Sequence, residues 1–347
     1  MKHRIPVAAS AVVLCLTLLA CTDSRTAGTH DSVTLTLGAF TVPKEAYQKK
    51  IIPAFQRFWQ AKTGQTVQFA ESYEASGAQS RAIRGGFEAD VAALSLEKDI
   101  TALADAGLIT HDWKQATGGG FVTRSVVVIA YREGNPKQIR GLEDLKRADV
   151  QVIYPSPKTS GGAMWVVNTL YGAALKLSEV RSGTPDPAAA RQQLKDIQRR
   201  VQVMDKSGRM SVTTFENGIG DALLTYENEA LLRQKQGRPF PFVIPEATIL
   251  IENPVALVDA NVDRHGTRAV AEAFVAFLYT AASQQAFAEY GFRPVDPAVS
   301  AEFAATYPQP PHLFDVRYLG GWDTITDTLY DRDGVWTTIM RELADEP

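Results

Sequence analysis

Apolar and polar positions divide this chain into an apolar leader, a short polar stretch and a long run of alternating strand and helix patterns. Val33-Thr34-Leu35-Thr36-Leu37 alternates with period two and predicts a strand. Residues 44–62 repeat at helical spacing, with Tyr47, Ile51, Phe55, Phe58 and Trp59 on one stripe. Thr66 to Ala70 predicts a second strand, Ala78 to Gly85 a short helix after Ser76-Gly77, and Asp90 to Leu94 a buried strand. This β-α-β-α-β order predicts a parallel sheet with helices on both faces. Further on, strand patterns occur at 124–131, 150–154, 201–204, 222–226, 242–244 and 248–259. Helix patterns occur at 142–148, 165–177, 188–200, 227–235, 268–279 and 283–290. No internal repeat, heptad or low-complexity tract interrupts the alternation.

A chain of 347 residues suits two lobes better than one domain. The strands near 124–131 and 248–259 are the natural crossovers. They predict one lobe from 33–124 plus 249–347 and a second from 125–248. Ligands of open α/β sheets sit beyond the carboxyl ends of strands, where helices begin. Four loops fit that description: Gly38 to Pro43, Glu71 to Gly77, Thr159-Ser160-Gly161-Gly162, and Lys206 to Ser211. The third is the most informative. It follows a strand pattern and precedes an apolar helix pattern, so Ser160 can cap that helix. Gly161 and Gly162 leave their N–H groups unshielded. Each loop taken singly also fits a structural cap or a tight turn. Together they point to a local anion site.

Charge and cysteine use narrow the context. The formal net charge is −3, so bulk attraction to nucleic acid is not expected. Lys2 and Arg4 form a basic start to an apolar stretch through Ala20, too short for a membrane span. Its end, Leu18-Leu19-Ala20-Cys21, resembles the lipobox of bacterial lipoprotein leaders. That resemblance implies removal of residues 1–20, a lipid on Cys21, and a flexible tether over 21–32. The same segment also fits an ordinary secretory leader. The other cysteine, Cys15, leaves with the leader, so no thiol remains for a disulfide, a nucleophile or a metal.

Residues 33–330 resemble the periplasmic sulfate/thiosulfate-binding proteins of ABC importers. The resemblance rests on Ser76-Gly77-Ala78-Gln79, Gly86 to Val91, Arg132 to Ile139, Pro157 to Trp165, Gly218 to Asp221, Glu227 to Leu232, Ala269 to Phe274, Phe292-Arg293-Pro294 and Gly320-Gly321-Trp322. It implies an α/β, two-lobed type II binding-protein fold with mixed, mostly parallel sheets and a cleft between lobes. It also implies a dehydrated oxyanion held by amides and hydroxyls without a neutralising cation. By position, Ser76 and Ser160 are expected to give hydroxyls. Thr41, Gly161, Gly162 and Gly208 are expected to give amides, and Tyr226 a phenol in place of the family indole. An extracytoplasmic, lipid-anchored monomer that serves an ABC permease follows, with no cofactor and no catalysis. The chain departs from the family at Phe40-Thr41-Val42, at Glu74-Ala75, which puts a carboxylate near the site, and at Arg209-Met210. Arg209 is expected as an exposed or supporting charge rather than a ligand.

Competing readings remain open on the residues alone. No Gly-x-Ser-x-Gly elbow, zinc-binding His-Glu-x-x-His, phosphate loop or dinucleotide glycine fingerprint occurs, which disfavours an enzyme. A ferric-ion receptor of the same architecture would use Tyr73, Glu74 and Tyr226, although no adjacent tyrosine pair occurs. Molybdate or phosphate would suit the same donor loops. In a structural surface lipoprotein, Trp113, Trp165 and Trp336 would be interface anchors, though core packing explains them more simply.

Overall fold

The computed structural model describes residues 32–346 together with Met1. The expected leader, the lipid-bearing Cys21 and the tether lie outside the described residues, apart from Met1 and Ser32. Ten strands are present among the described residues. They are β1 (Ser32–Phe40), β2 (Thr66–Glu74), β3 (Val91–Ala93), β4 (Phe121–Tyr131) and β5 (Val152–Ile153), then β6 (Val201–Val203), β7 (Ala222–Tyr226), β8 (Phe242–Val243), β9 (Ala247–Leu257) and β10 (His312–Phe314). Their spatial order is β2-β1-β3-β9-β4-β7-β5-β6, with β10 beside β9 and β8 beside β4.

Parallel pairing joins β1 to β2 and β3, and joins β5 to β6 and β7. Between these two groups run β4 and β9, antiparallel to each other. The far part of β9 pairs with β3, and the far part of β4 pairs with β7. The expected α/β architecture with mixed, mostly parallel strands is therefore present. Its cause is visible in β4, where Val126 to Ala130 are all buried. A strand covered on both faces needs a continuous apolar run, and this one has it.

Local chemistry sets the helices. Residues 44–63 are helical throughout, with a widened π turn at Tyr47–Ile51. The regular helix begins at Ile52, and Pro53, its second residue, has no N–H to donate to the preceding turn. Tyr47, Ile51, Phe55 and Trp59 are buried as their stripe predicts, but Phe58 is exposed. Its ring instead covers Phe277 at 5.2 Å and carries the Lys62 ammonium. The anion-type loop leads into helix Gly161–Ser182, longer than the apolar pattern indicates. Its first fourteen residues are buried all round, and it stops where Gly183 turns left-handed at φ 83°. The C-terminal helix Val335–Asp345 packs on helix Pro187–Gln198, beside the second strand group. Trp336 and Ile339 are buried in that contact region, and Lys195–Glu342 (2.9 Å) and Arg199–Glu346 (2.7 Å) trim its edge. Exposed pairs of this kind contribute ~0–1 kcal/mol each, so the apolar burial dominates.

Among the described residues no helix is long and apolar enough to cross a membrane.

Candidate functional site

Strand ends and helix starts from both groups converge on one cavity of about 210 Å³, counted with its mouth. Its walls are Phe40, Thr41, Val42, Ala75, Ser76, Ser95, Ser160, Gly161, Gly162, Gly208 and Tyr226. All seven residues expected from the sequence, Thr41, Ser76, Ser160, Gly161, Gly162, Gly208 and Tyr226, line it. None of the eleven carries a formal charge.

The helix starts explain the electrostatics. Ser76 opens helix Ser76–Arg84, Gly161 opens helix Gly161–Ser182, Gly208 opens helix Gly208–Glu216, and Tyr226 precedes helix Glu227–Lys235. The first N–H groups of a helix have no partner within it and carry its positive end. Ser207 satisfies one such donor, since its hydroxyl accepts from the Met210 N–H at 3.3 Å. Ser160 behaves differently. It occupies the cap position, but its hydroxyl makes no capping bond. The expectation that Ser160 caps its helix by side chain is thus corrected. The physical consequence favours a ligand, because hydroxyl and amides both stay free at the cavity wall.

Close approach explains the glycines. A methyl group at Gly161 would lie 2.7 Å from Ser95 Oγ and 2.8 Å from Leu96 Cγ. One at Gly162 would lie 2.8 Å from a Tyr226 ring carbon. Only glycine lets the helix start come this near.

Three hydroxyls of the cavity form two hydrogen-bonded groups. The Ser76 hydroxyl donates to Asp99 Oδ2 at 2.5 Å and accepts from the Ser95 N–H at 2.9 Å. Its hydrogen is therefore committed to Asp99, not free for an anion as position alone implies. Burial raises the Asp99 carboxyl above its ordinary range, opposed by the Ser76 bond and by the nearby Lys98, Arg81 and Arg84 charges. In the second group, the Ser95 and Tyr226 hydroxyls lie 2.6 Å apart. Two O–H hydrogens serve one contact, so one is left over. Burial pushes the Tyr226 phenol well above its usual range, which keeps it neutral.

Ser95 is a wall residue that sequence reasoning missed. It follows β3 and precedes helix Glu97–Asp105, the same strand–hydroxyl–helix setting that marked the other loops. The structure makes it a junction. Its carbonyl accepts from the Trp165 indole N–H and from Asn253 Nδ2, both at 3.1 Å. Trp165 lies on helix Gly161–Ser182 and Asn253 on β9.

The departures at Glu74 and Arg209 resolve plainly. Glu74 ends β2 exposed and outside the cavity wall, so no carboxylate enters there. Arg209 is not exposed. It is clasped between Glu45 (2.5 and 2.9 Å) and Glu229 (3.0 Å), and it donates to the Val42 carbonyl at 3.2 Å. Burial disfavours its charge, but Glu229 and Glu45 outweigh that and hold the guanidinium above its usual pKa. The clasp links the first helix of the first group to the second group beside the cavity.

Comparison with known proteins gives a consistent picture. Residues 44–293 match the family described as bacterial extracellular solute-binding protein. The chain is 41% identical to the sulfate-binding protein of Synechococcus elongatus over 334 residues, 95% of this chain and 93% of that one. It is 34% identical to the thiosulfate-binding protein of Pseudomonas aeruginosa, over 87% of this chain and 90% of that one. The solved sulfate-binding protein SubI of Mycobacterium tuberculosis superposes with a TM-score of 0.77 at 38% identity, covering 87% of this chain and all of that one.

Proposed function

This chain belongs to the bacterial extracellular solute-binding proteins, and from that premise we propose that it captures sulfate or thiosulfate for an ABC importer. The observation that carries this reading is the cavity wall: amides, hydroxyls and apolar groups, with no charged side chain. Sulfate bears no proton at neutral pH and only accepts hydrogen bonds. A wall of donors satisfies it completely. Protonated phosphate brings an O–H that a wall hydroxyl must turn to accept, which leaves one bond to the anion unmade at a cost of ~1–3 kcal/mol. The amides of Thr41, Gly161, Gly162 and Gly208 and the Ser160 hydroxyl donate to the anion. The spare hydrogen of the Ser95–Tyr226 pair adds one more. Helix starts stabilise the dianion without a countercharge.

The names borne by the relatives favour sulfate or thiosulfate over ferric ion, and the cavity wall holds one phenol and no carboxylate. Binding draws the two strand groups together about β4 and β9, and the permease recognises the closed form. Lobe one is 33–124 with the start of 249–347. Helix Val335–Asp345 packs on helix Pro187–Gln198 and so moves with lobe two rather than lobe one. The protein works as a monomer outside the cytoplasmic membrane, held there by lipid on Cys21.

A thermal-shift panel with sulfate, thiosulfate, molybdate, phosphate and ferric citrate tests this reading. Ligand at 100 times its Kd stabilises the native state by ~2.7 kcal/mol. Sulfate or thiosulfate is expected to raise Tm and phosphate to leave it unchanged. A response to ferric citrate alone would overturn the assignment.

A further inference from the structure

A second, larger cavity of about 870 Å³ on the same count adjoins the anion pocket, and Ser160 and Gly161 line both. Four basic side chains line it: Arg81, Arg84, Lys98 and Lys158. Arg81 and Arg84 stand three residues apart on helix Ser76–Arg84, so they share a face. Lys98 lies on helix Glu97–Asp105, and Lys158 on the loop that delivers Ser160. None of the four forms an ion pair among the described residues. Lys98 makes only a long 3.5 Å contact to Thr326 Oγ1. The cavity's single carboxyl is Asp99, buried and bonded to Ser76.

Four cations gathered in a concave site around one buried carboxyl repel one another, and no direct ion pair offsets that repulsion. Elsewhere the chain pairs its charges freely, as along helix Pro187–Gln198. The unpaired cluster beside an uncharged anion pocket therefore calls for a functional reason. The pocket itself attracts a dianion only at short range, through helix starts whose field fades within about a turn. A cationic cavity acts over about a Debye length, roughly 8–10 Å at physiological salt.

We propose that this cavity is a capture vestibule: an outer, low-affinity oxyanion subsite that concentrates the dianion at the cleft mouth and delivers it to the neutral pocket. The inference rests on the oxyanion-binding reading of that pocket. It separates two tasks. The vestibule sets how fast the anion arrives, and the pocket sets how long it stays. Full charges suit the first task because they reach far and keep their hydration. Neutral donors suit the second because they bind a desolvated anion by geometry. The concave shape and the shared wall with the pocket favour a small anion over a protein partner as occupant.

Stopped-flow tryptophan fluorescence provides the test, since the Trp165 indole bonds across the cleft to Ser95. Sulfate association is measured over a range of NaCl concentrations for the full-length protein and for R81Q/R84Q/K98Q/K158Q. The unaltered protein is expected to show an association rate that falls steeply with salt. The quadruple variant is expected to associate at least about tenfold more slowly at low salt, with little salt dependence and an unchanged dissociation rate. Lys158→Glu alone, at an exposed loop position, is expected to slow association in the same sense without threatening the fold. An unchanged association rate and salt slope in both variants would overturn the vestibule. So would a loss carried only by dissociation. Unaltered sulfate kinetics with lost stimulation of the permease would assign the patch to permease docking instead, also against the proposal. Absence of equilibrium sulfate binding by the unaltered protein would sink the functional reading itself, and that outcome is separable from the others.

Discussion

Replacing Gly161 by alanine adds one methyl group where the start of helix Gly161–Ser182 presses against Ser95 and Leu96. That methyl would stand 2.7 Å from Ser95 Oγ, 2.8 Å from Leu96 Cγ and 2.9 Å from Ser95 Cβ. Ser95 and Leu96 are 0% and 1% exposed, so neither can swing aside. On the proposed closure mechanism, the clash is relieved by holding the cleft partly open. Overpacking of this size costs about 1–3 kcal/mol. The cost falls on the closed form alone, so sulfate affinity should drop about 5- to 150-fold. Alanine also favours the helix by up to ~1 kcal/mol over glycine, in the open and closed forms alike. The Tm of the ligand-free protein should therefore hold or rise while affinity falls. Gly208→Ala is the internal control, because its added methyl meets only Val42 Cγ2 at 3.9 Å, an ordinary contact. Titration calorimetry with sulfate and scanning calorimetry without it measure both quantities. Equal losses of affinity at Gly161 and Gly208, or no loss at Gly161, would refute the closure argument.

Three further outcomes follow from the same geometry. Glu45→Gln removes one carboxylate of the Arg209 clasp. Loss of a charged hydrogen-bond partner costs roughly 1.5–3 kcal/mol, so sulfate affinity should fall by at least tenfold, read by calorimetry. Asp99→Asn takes a raised carboxyl out of the site. An acid with a raised folded pKa contributes stability below its unfolded pKa of about 3.9 and loses it as pH rises through the folded value. The variant's stability advantage, followed by chemical denaturation, should therefore appear above about pH 4 and then level off. The amide that this substitution introduces can also donate to Ser76 Oγ and free that hydroxyl for the anion, so sulfate should bind more tightly; weaker binding would contradict the Ser76 assignment. Tyr226→Phe leaves the Ser95 hydroxyl without its 2.6 Å partner in a buried place. A fall in Tm and a loss of affinity worth ~1–3 kcal/mol are expected by calorimetry, and unchanged values would make Tyr226 packing only.

What the sequence determined by itself was the alternation of elements and the loops that end at the cavity. Period-two and helical repeats are local properties, and a hydroxyl with glycines at a helix start is legible from a few neighbouring residues. Ser160, Gly161 and Gly162 could be found in that way. Ser95 carries a weaker local signal, a hydroxyl between strand and helix without an adjoining glycine. Only the tertiary structure decided which hydroxyls are free. Ser76 gives its hydrogen to Asp99, 23 positions away, and Tyr226 meets Ser95, 131 positions away. It likewise turned Glu74 outward, closed Glu45 and Glu229 on Arg209, and gathered Arg81, Arg84, Lys98 and Lys158 around one cavity. The reason is physical. A pattern along the chain fixes what each residue can donate or accept, whereas its actual partner depends on contacts between segments far apart, which form only when the chain folds.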